Sequence, residues 1–185
     1  RNLDADILSM KDAGIETDIV EDGATFEENA VIKAKAVAAL LTEHDGGKYR
    51  DAIVLADDSG LEIDYLNKEP GIYSARYMGE HTPYSAKNQN LLKRLAGVPA
   101  EKRSARFVCA IAAVIPGGDV ITTLGTIEGR IGDRAEGNNG FGYDPIFYVP
   151  EFGCTTAQLS EEEKNRISHR GRALEAMEAE LKKKL

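Results

Sequence analysis

A long β-hairpin in the second half of the chain restricts the possible folds more than any other feature. Residues Ala105–Ile115 are rich in Phe, Val and Ile and predict a strand, and Val120–Ile131 predict its partner. The residues between them, Pro116 to Asp119, read Pro-Gly-Gly-Asp and are typical of a turn. Because the two strands of a hairpin run antiparallel, the sheet cannot be purely parallel.

Helices interleave with these strands. Three helix starts are marked by capping residues or by proline at the first position: Thr25 with Glu28, Thr82-Pro83, and Ser160 with Glu163. Apolar residues recur at helical spacing from Phe26 to Leu41. The second helix should stop at Gly97, and the last should run to the C-terminus, with a point near Gly171 where it can break. This order predicts a mixed α/β fold.

Composition excludes several classes of protein. The chain has 185 residues, enough for one domain at about 150 residues each, and 42% are hydrophobic. A net charge of −8 disfavours a protein that wraps nucleic acid. The sequence lacks an apolar run of about 18 residues and a signal-peptide core, so no membrane association is expected. Two distant cysteines, Cys109 and Cys154, fit unpaired thiols in a reducing cytosol.

The strongest local signal for chemistry is a pair of carboxylates after an apolar run. Residues 52–56 predict a buried strand that ends at Asp57-Asp58-Ser59-Gly60, with a second extended stretch over 61–65. Adjacent carboxylates repel each other unless a cation lies between them, and Mg²⁺ accepts such ligands together with phosphate oxygens. The same four residue types also form ordinary turns.

Acidic and basic residues around the first helix provide further candidates. Glu21, with Asp22, precedes the helix and can bring another carboxylate to the same ion, or can belong to a solvated loop. Asn29 and Lys33 are four residues apart and therefore share a helix face. Lys33 can bind a phosphate or hold a carboxylate in place. Alternatively, it can lie at the edge of the helix with its ammonium in water.

The loop over residues 140–145 combines two glycines with two aromatic rings. Its glycines allow backbone N–H groups to approach a ligand, and Phe141 or Tyr143 can stack on a base. Asp144 can accept hydrogen bonds from a base or a ribose. A packed loop with an aromatic anchor is the alternative, since the sequence matches neither common phosphate-loop pattern.

A cationic cluster follows in the last part of the chain. Its members lie within nine residues: Lys164, Ser168, His169, Arg170 and Arg172. Arg and Lys side chains can bind a triphosphate, and His169 and Arg170 can donate hydrogen bonds to a purine carbonyl. A solvated helix face would have the same composition. The sequence has no zinc pattern and no G-x-S-x-G elbow, so it does not support zinc hydrolysis or acyl transfer.

Taken together and in order, six motifs resemble the inosine triphosphate pyrophosphatase family. They are residues 25–30 (TFEENA), 56–61 (ADDSGL), 70–77 (PGIYSARY), 105–109 (ARFVC), 139–147 (NGFGYDPIF) and 163–171 (EKNRISHRG). The resemblance implies an elongated, two-lobed α/β fold in which helices flank a central mixed sheet. It also implies an active-site cleft between the lobes, usually in a homodimer. The implied activity is Mg²⁺-dependent hydrolysis of XTP, ITP and dITP to the monophosphate and pyrophosphate, with Mn²⁺ as an alternative metal, in the cytoplasm.

The resemblance also implies roles for individual residues. Asp58 matches the general base and metal carboxylate, Glu21 a metal partner, and Lys33 a lysine of the catalytic site. Asp57 joins Glu21 and Asp58 as a metal ligand in this interpretation. The residues expected to contact substrate are Ser59, Asn29, Phe141, Gly142, Tyr143, Asp144, Lys164, His169 and Arg170. Donors from His169 or Arg170 to the purine O6 would select a 6-keto base over adenine.

Two other functions fit parts of the pattern. A nucleotide-binding protein without turnover would keep the Phe141 loop and the cationic cluster but would not need the carboxylates. A pyrophosphatase for modified pyrimidine triphosphates would share the chemistry. Family members begin with a short apolar strand and Thr/Ser-x-Asn-x-x-Lys, whereas this chain opens at Arg1-Asn2-Leu3-Asp4, which matches the end of the following helix. We therefore expect one domain over residues 1–185 of a longer natural protein.

Overall fold

The computed structural model describes residues 5–184, and the expected helix end at Arg1–Asp4 lies outside the described residues. Within them are four α-helices and five strands. In chain order these are α1 (Phe26–Glu43), β1 (Val54–Ile63), α2 (Tyr84–Arg94), β2 (Ser104–Val114), β3 (Val120–Ile131), β4 (Phe147–Val149), β5 (Cys154–Thr155), α3 (Glu161–Ile167) and α4 (His169–Lys184). Among the described residues, no helix is both long enough and apolar enough to span a membrane.

The strands form one antiparallel sheet in the order β1-β2-β3-β4-β5. The hairpin of β2 and β3 is confirmed: the Ile115 N–H donates to the Asp119 carbonyl at 3.0 Å, and the Ile131 N–H donates to the Arg103 carbonyl at 2.9 Å. On its other side, β3 pairs with β4, and Arg130 of β3 lies opposite Tyr148 of β4. The predicted mixed α/β fold is therefore confirmed.

By its internal contacts the chain divides into two compact units. Unit 1 comprises residues 1–58, 110–124 and 173–185, and unit 2 comprises residues 59–109 and 125–172. In unit 1, α1 buries apolar side chains at helical spacing: Ala30, Ala34, Val37 and Leu41. In unit 2, the core includes Leu61, Ile63, Leu91, Phe107 and Phe147. A single domain, an elongated shape and a cleft stay predictions.

The prediction for β1 was wrong in one respect. The residues Asp57 to Gly60 do not end a strand; they lie in the middle of β1, which continues unbroken to Ile63. The expected buried run is also interrupted, because the Leu55 side chain is exposed. Asp, Ser and Gly favour turns as isolated residues, but pairing within a sheet outweighs such local preferences.

The predicted start of the second helix shifts, whereas the break expected in the last helix is present. The Thr82 hydroxyl donates to the Met78 carbonyl at 2.6 Å instead of capping α2, which begins at Tyr84. The last helix does break near Gly171, at Ser168, where the Ser168 hydroxyl oxygen accepts from the Gly171 N–H at 3.0 Å and so starts α4 as a separate helix. The predicted capping box of Ser160 with Glu163 is present at the start of α3.

Arg106 on β2 is the centre of a polar network within unit 2. Its guanidinium donates to both carboxylate oxygens of Asp64, at 3.0 and 3.1 Å, and to Glu128 at 2.9 Å. These hydrogen bonds hold the pKa of Asp64 well below its usual range. Two parallel donors to one carboxylate give the pair a fixed geometry.

We expect Arg106→Gln to lower the free energy of unfolding by about 1–3 kcal/mol at pH 7. Because the pKa of Asp64 is depressed in the folded state, the stabilisation is complete above the unfolded pKa of about 4 and is lost as the pH falls below it. Urea unfolding of both proteins at pH 7 and pH 3 checks this. Arg134→Gln, which breaks an exposed pair with Glu136, is the control. An equal difference at both pH values would contradict the expectation.

Candidate functional site

A lysine bridges two of the predicted carboxylates in unit 1. The Lys33 ammonium lies 3.1 Å from Glu21 Oε2 and 3.1 Å from Asp58 Oδ1. Lys33 comes from α1, Asp58 from β1, and Glu21 from the segment that precedes α1. The Asp58 side chain is 11% exposed. These three predicted residues are therefore brought together around one positive charge.

Asn29 fixes the second oxygen of Asp58. It is fully buried, at 0% exposure, and its Nδ2 donates to Asp58 Oδ2 at 3.2 Å. Its Oδ1 accepts from the Gly23 N–H at 2.9 Å. The predicted four-residue spacing does place Asn29 and Lys33 on one face of α1, toward Asp58. Because both ends of the Asn29 amide bind protein groups, its contact with substrate stays a prediction, and the structure shows a different contact, to Asp58.

The start of α1 is fixed by its own capping residues. The Thr25 hydroxyl accepts from the Glu28 N–H at 3.1 Å, as predicted. The Glu28 carboxylate accepts from the Ala24 N–H at 2.6 Å, one residue before the position that a capping box would use. Both bonds hold the chain between Glu21 and the helix, so the short stretch that carries Glu21 is positioned against Lys33.

The charges around Asp58 make the protonation of its carboxylate sensitive to nearby cations. Burial raises the pKa of Asp58, while Lys33 and Asn29 oppose that shift, and the Glu21 carboxylate adds to it. A partly buried carboxylate that lies between another carboxylate and an ammonium is stabilised in its ionised form by additional positive charge. Such a group can accept a proton from water or bind a metal ion.

The donor set fits a cation held by two carboxylates. Within residues 5–184, no group of three or more His, Cys, Asp or Glu residues is arranged to hold a metal ion. Asp57 and Asp58 are neighbours in an extended strand, and successive side chains of a strand point to opposite faces. Sharing one ion between them stays a prediction that strand geometry disfavours. Glu21 and Asp58 converge on the Lys33 ammonium, and Mg²⁺, which commonly uses one or two carboxylates plus substrate oxygens, would share these carboxylates with Lys33.

The predicted loop of unit 2 is organised around Asp144, which is 3% exposed. Its carboxylate accepts from the Phe141 N–H at 2.8 Å and from the Thr156 hydroxyl at 2.8 Å, and it pairs with the Lys164 ammonium. A Cβ on Gly140, whose φ is +72°, would overlap this carboxylate. Asp144 and Lys164, both expected to contact substrate, therefore meet each other.

Phe141, and not Tyr143, presents its ring to solvent. The Phe141 side chain is 71% exposed, and the Lys164 ammonium lies 4.9 Å from its ring centroid. Tyr143 is buried, its hydroxyl donates to the Ser74 carbonyl at 2.6 Å, and burial raises the pKa of its phenol. Of the two rings predicted to stack on a base, Phe141 is the accessible one. Gly142 between them binds Asn88 through its carbonyl at 3.0 Å.

The cationic cluster begins α4. The His169 ring stacks on Phe107, with centroids 5.1 Å apart and planes 19° apart. Arg170 and Arg172 are both exposed, and Arg172 donates to the Thr126 carbonyl at 2.7 Å. Ser59 follows Asp58 directly in β1 and is the first residue of unit 2.

Sequence patterns did not identify three residues that hold the loop. Asn88, Ser74 and Thr156 all bind the turn over residues 141–144. Ser74 lies inside one of the family motifs, which was the one available signal. Asn88 and Thr156 are ordinary polar residues in the sequence, and only the folded chain brings them to the loop.

Comparison with known proteins agrees with the motifs. The model of the Ham1 family matches residues 1–180. A dITP/XTP pyrophosphatase of Clostridium perfringens is 49% identical over 182 residues, which cover 98% of this chain and 88% of that protein. The fold is similar to the Ham1 protein of Staphylococcus aureus, with TM-score 0.82, 45% identity and coverage of 92% and 83% of the two chains. It is also similar to a HAM1 protein from Coxiella burnetii, with TM-score 0.85, 40% identity and coverage of 98% and 88%. The resemblance drawn from the six motifs is thus confirmed, and the chain belongs to the Ham1 family.

Proposed function

We propose that this chain is a pyrophosphatase for non-standard purine nucleoside triphosphates, converting XTP, ITP and dITP to the monophosphate and pyrophosphate. The observation that carries the proposal is the partly buried Asp58 carboxylate, held by Lys33 and Asn29 beside Glu21. The family relationship supports it, since the Clostridium perfringens relative is named a dITP/XTP pyrophosphatase. From the same relationship we propose a cytoplasmic homodimer.

In the proposed reaction, water adds to phosphorus at the anhydride that links the nucleoside monophosphate to the two outer phosphates, and pyrophosphate leaves. Asp58 accepts the proton of that water, because its carboxylate is fixed by two hydrogen bonds and cannot turn away. Lys33 neutralises phosphate oxygens next to it. Glu21 and Asp58 would hold Mg²⁺, which supplies further charge neutralisation to the phosphates when bound.

The proposal gives recognition of the base to the Phe141 loop and to the first residues of α4. The exposed Phe141 ring offers a stacking surface, which tolerates any purine. His169 and Arg170 donate hydrogen bonds to a 6-keto group, so a 6-amino group would place donor against donor. A buried mismatch of this kind costs on the order of 1–3 kcal/mol.

The first experiment measures pyrophosphate release with Mg²⁺ from dITP, XTP, dATP and dGTP, using protein that carries any natural residues before Arg1. We expect dITP and XTP to react at least about tenfold faster than dATP in kcat/KM, which corresponds to one mismatched hydrogen bond. Equal rates on all four would contradict the purine selectivity. Tight binding of dITP without release would instead support a nucleotide-binding protein.

A further inference from the structure

One helix of unit 2 holds the centre of the turn that carries Phe141. Asn88 of α2 is 4% exposed, and its Nδ2 donates to the Gly142 carbonyl at 3.0 Å. One helical turn earlier, the Tyr84 ring meets the Tyr143 ring edge to face, with centroids 5.3 Å apart. Because residues four apart share a helix face, both contacts come from the same side of α2.

Lys87 connects α2 to the second support of the turn. It is 1% exposed; its ammonium donates to the Ala75 carbonyl at 2.6 Å and lies 4.7 Å from the Tyr84 ring centroid. The next carbonyl back, that of Ser74, accepts from the Tyr143 hydroxyl. The turn is therefore held between α2 and the segment at 74–75, and Lys87 binds the two supports to each other.

Stability alone does not account for Asn88. Its Oδ1 is buried and has no hydrogen-bond partner within residues 5–184. An acceptor left in this state lowers stability, because it has lost its water without gaining a donor. An apolar residue of similar size would remove this acceptor while leaving the Gly142 carbonyl without its donor, so the two changes would offset each other.

We propose that Asn88 is a positioning residue for substrate recognition: by holding the Gly142 carbonyl, it fixes the direction in which the exposed Phe141 ring meets the purine base. Asn88 is buried and acts through the turn, without touching the nucleotide. The proposal rests on the proposed function and adds to it a residue that determines how well the base is bound.

The test compares Asn88→Leu with wild type and with Asn90→Leu. Asn90 lies on the same helix, and its side chain accepts from the Tyr77 hydroxyl at 2.6 Å, so the control removes a hydrogen bond of α2 that does not involve the turn. Hydrogen exchange is followed at the N–H groups of Phe141 and Asp144, which donate to Asp144 Oδ2 and to the Phe141 carbonyl.

We expect Asn88→Leu to speed exchange at both N–H groups about tenfold, in line with the loss of one hydrogen bond. The KM for dITP should rise about tenfold as stacking on Phe141 weakens, with kcat unchanged within about twofold. The melting temperature should stay within about 3 °C of wild type. Asn90→Leu should change neither exchange at the turn nor KM. If Asn88→Leu does not fold, Asn88→Ser, whose hydroxyl is too short to reach Gly142, is measured in the same way.

Unchanged exchange at the turn overturns the positioning role, whatever the enzyme does. Faster exchange with an unchanged KM overturns the role in recognition and leaves the proposed function intact. If the wild-type chain binds dITP but releases no pyrophosphate, the proposed function fails, and the inference is judged by the Kd of dITP. That Kd should then rise about tenfold in Asn88→Leu, and an unchanged Kd, or wild type that does not bind dITP, overturns it.

Discussion

Asp58→Asn should lower kcat for dITP by a factor of about 10²–10⁴ while the chain stays folded. Asparagine has the same size, and its carbonyl can still accept from Asn29, while its amide N–H₂ then faces the Lys33 ammonium. It cannot take a proton from water, and it leaves Lys33 paired with Glu21 alone. Since burial already raises the pKa of Asp58 and so disfavours its charge, a neutral side chain of the same size should leave the chain folded.

The matched control is Asp51→Asn, at an exposed aspartate just before β1 that pairs with Arg50. We expect Asp51→Asn to keep the wild-type kcat. Asp57→Asn should be measured alongside, because it reports whether the neighbouring carboxylate takes part in metal binding despite its place on the other strand face. Pyrophosphate release by Asp58→Asn at more than about a tenth of the wild-type rate would contradict a role as general base.

Asp144→Ala should lower the free energy of unfolding by about 3 kcal/mol or more, the range seen when one partner of a buried ion pair is removed. The substitution leaves the Lys164 ammonium without its carboxylate, and the Phe141 N–H and the Thr156 hydroxyl lose their acceptor. Asp144→Asn should lower the free energy of unfolding by less, because its amide keeps one oxygen that can accept a hydrogen bond. Urea unfolding at pH 7 measures both.

Asp133→Ala provides the comparison for Asp144. Asp144 pairs with a lysine and Asp133 with an arginine, Arg103, but the Asp133 side chain is 81% exposed. Removing its carboxylate should therefore lower the free energy of unfolding by less than about 1 kcal/mol. If Asp144→Ala were no more destabilising than Asp133→Ala, the carboxylate of Asp144 would not organise the loop in the way its contacts indicate.

The sequence predicted those parts of the fold that depend on residues close together in the chain. The helix starts at Thr25 and Ser160 follow from hydrogen bonds that span three residues. The hairpin turn after β2 is equally local. The length of β1 was not predictable in this way, because the turn-forming residues 57–60 are held extended by a neighbouring strand that lies far along the chain.

The candidate site shows the same division. The spacing of Asn29 and Lys33 correctly placed them on one helix face, but it could not show that Asn29 would use both ends of its amide on protein groups. Similarly, the loop composition identified Phe141 and Tyr143 without showing which ring is buried. Asn88 and Gly142 are 54 residues apart, so no local pattern connects them. Contacts of this kind depend on tertiary packing.

The turn over residues 141–144 contains no α-helix or strand, yet its groups are bound. The Phe141 N–H donates to the Asp144 carboxylate within the turn, that carboxylate accepts from the Thr156 hydroxyl, and the Tyr143 hydroxyl donates to the Ser74 carbonyl. Its conformational entropy is therefore given up when the polypeptide folds and is not lost again when a ligand arrives. A nucleotide that stacks on Phe141 meets a surface that is already ordered. The favourable contact energy is then available for affinity instead of being spent on immobilising the loop.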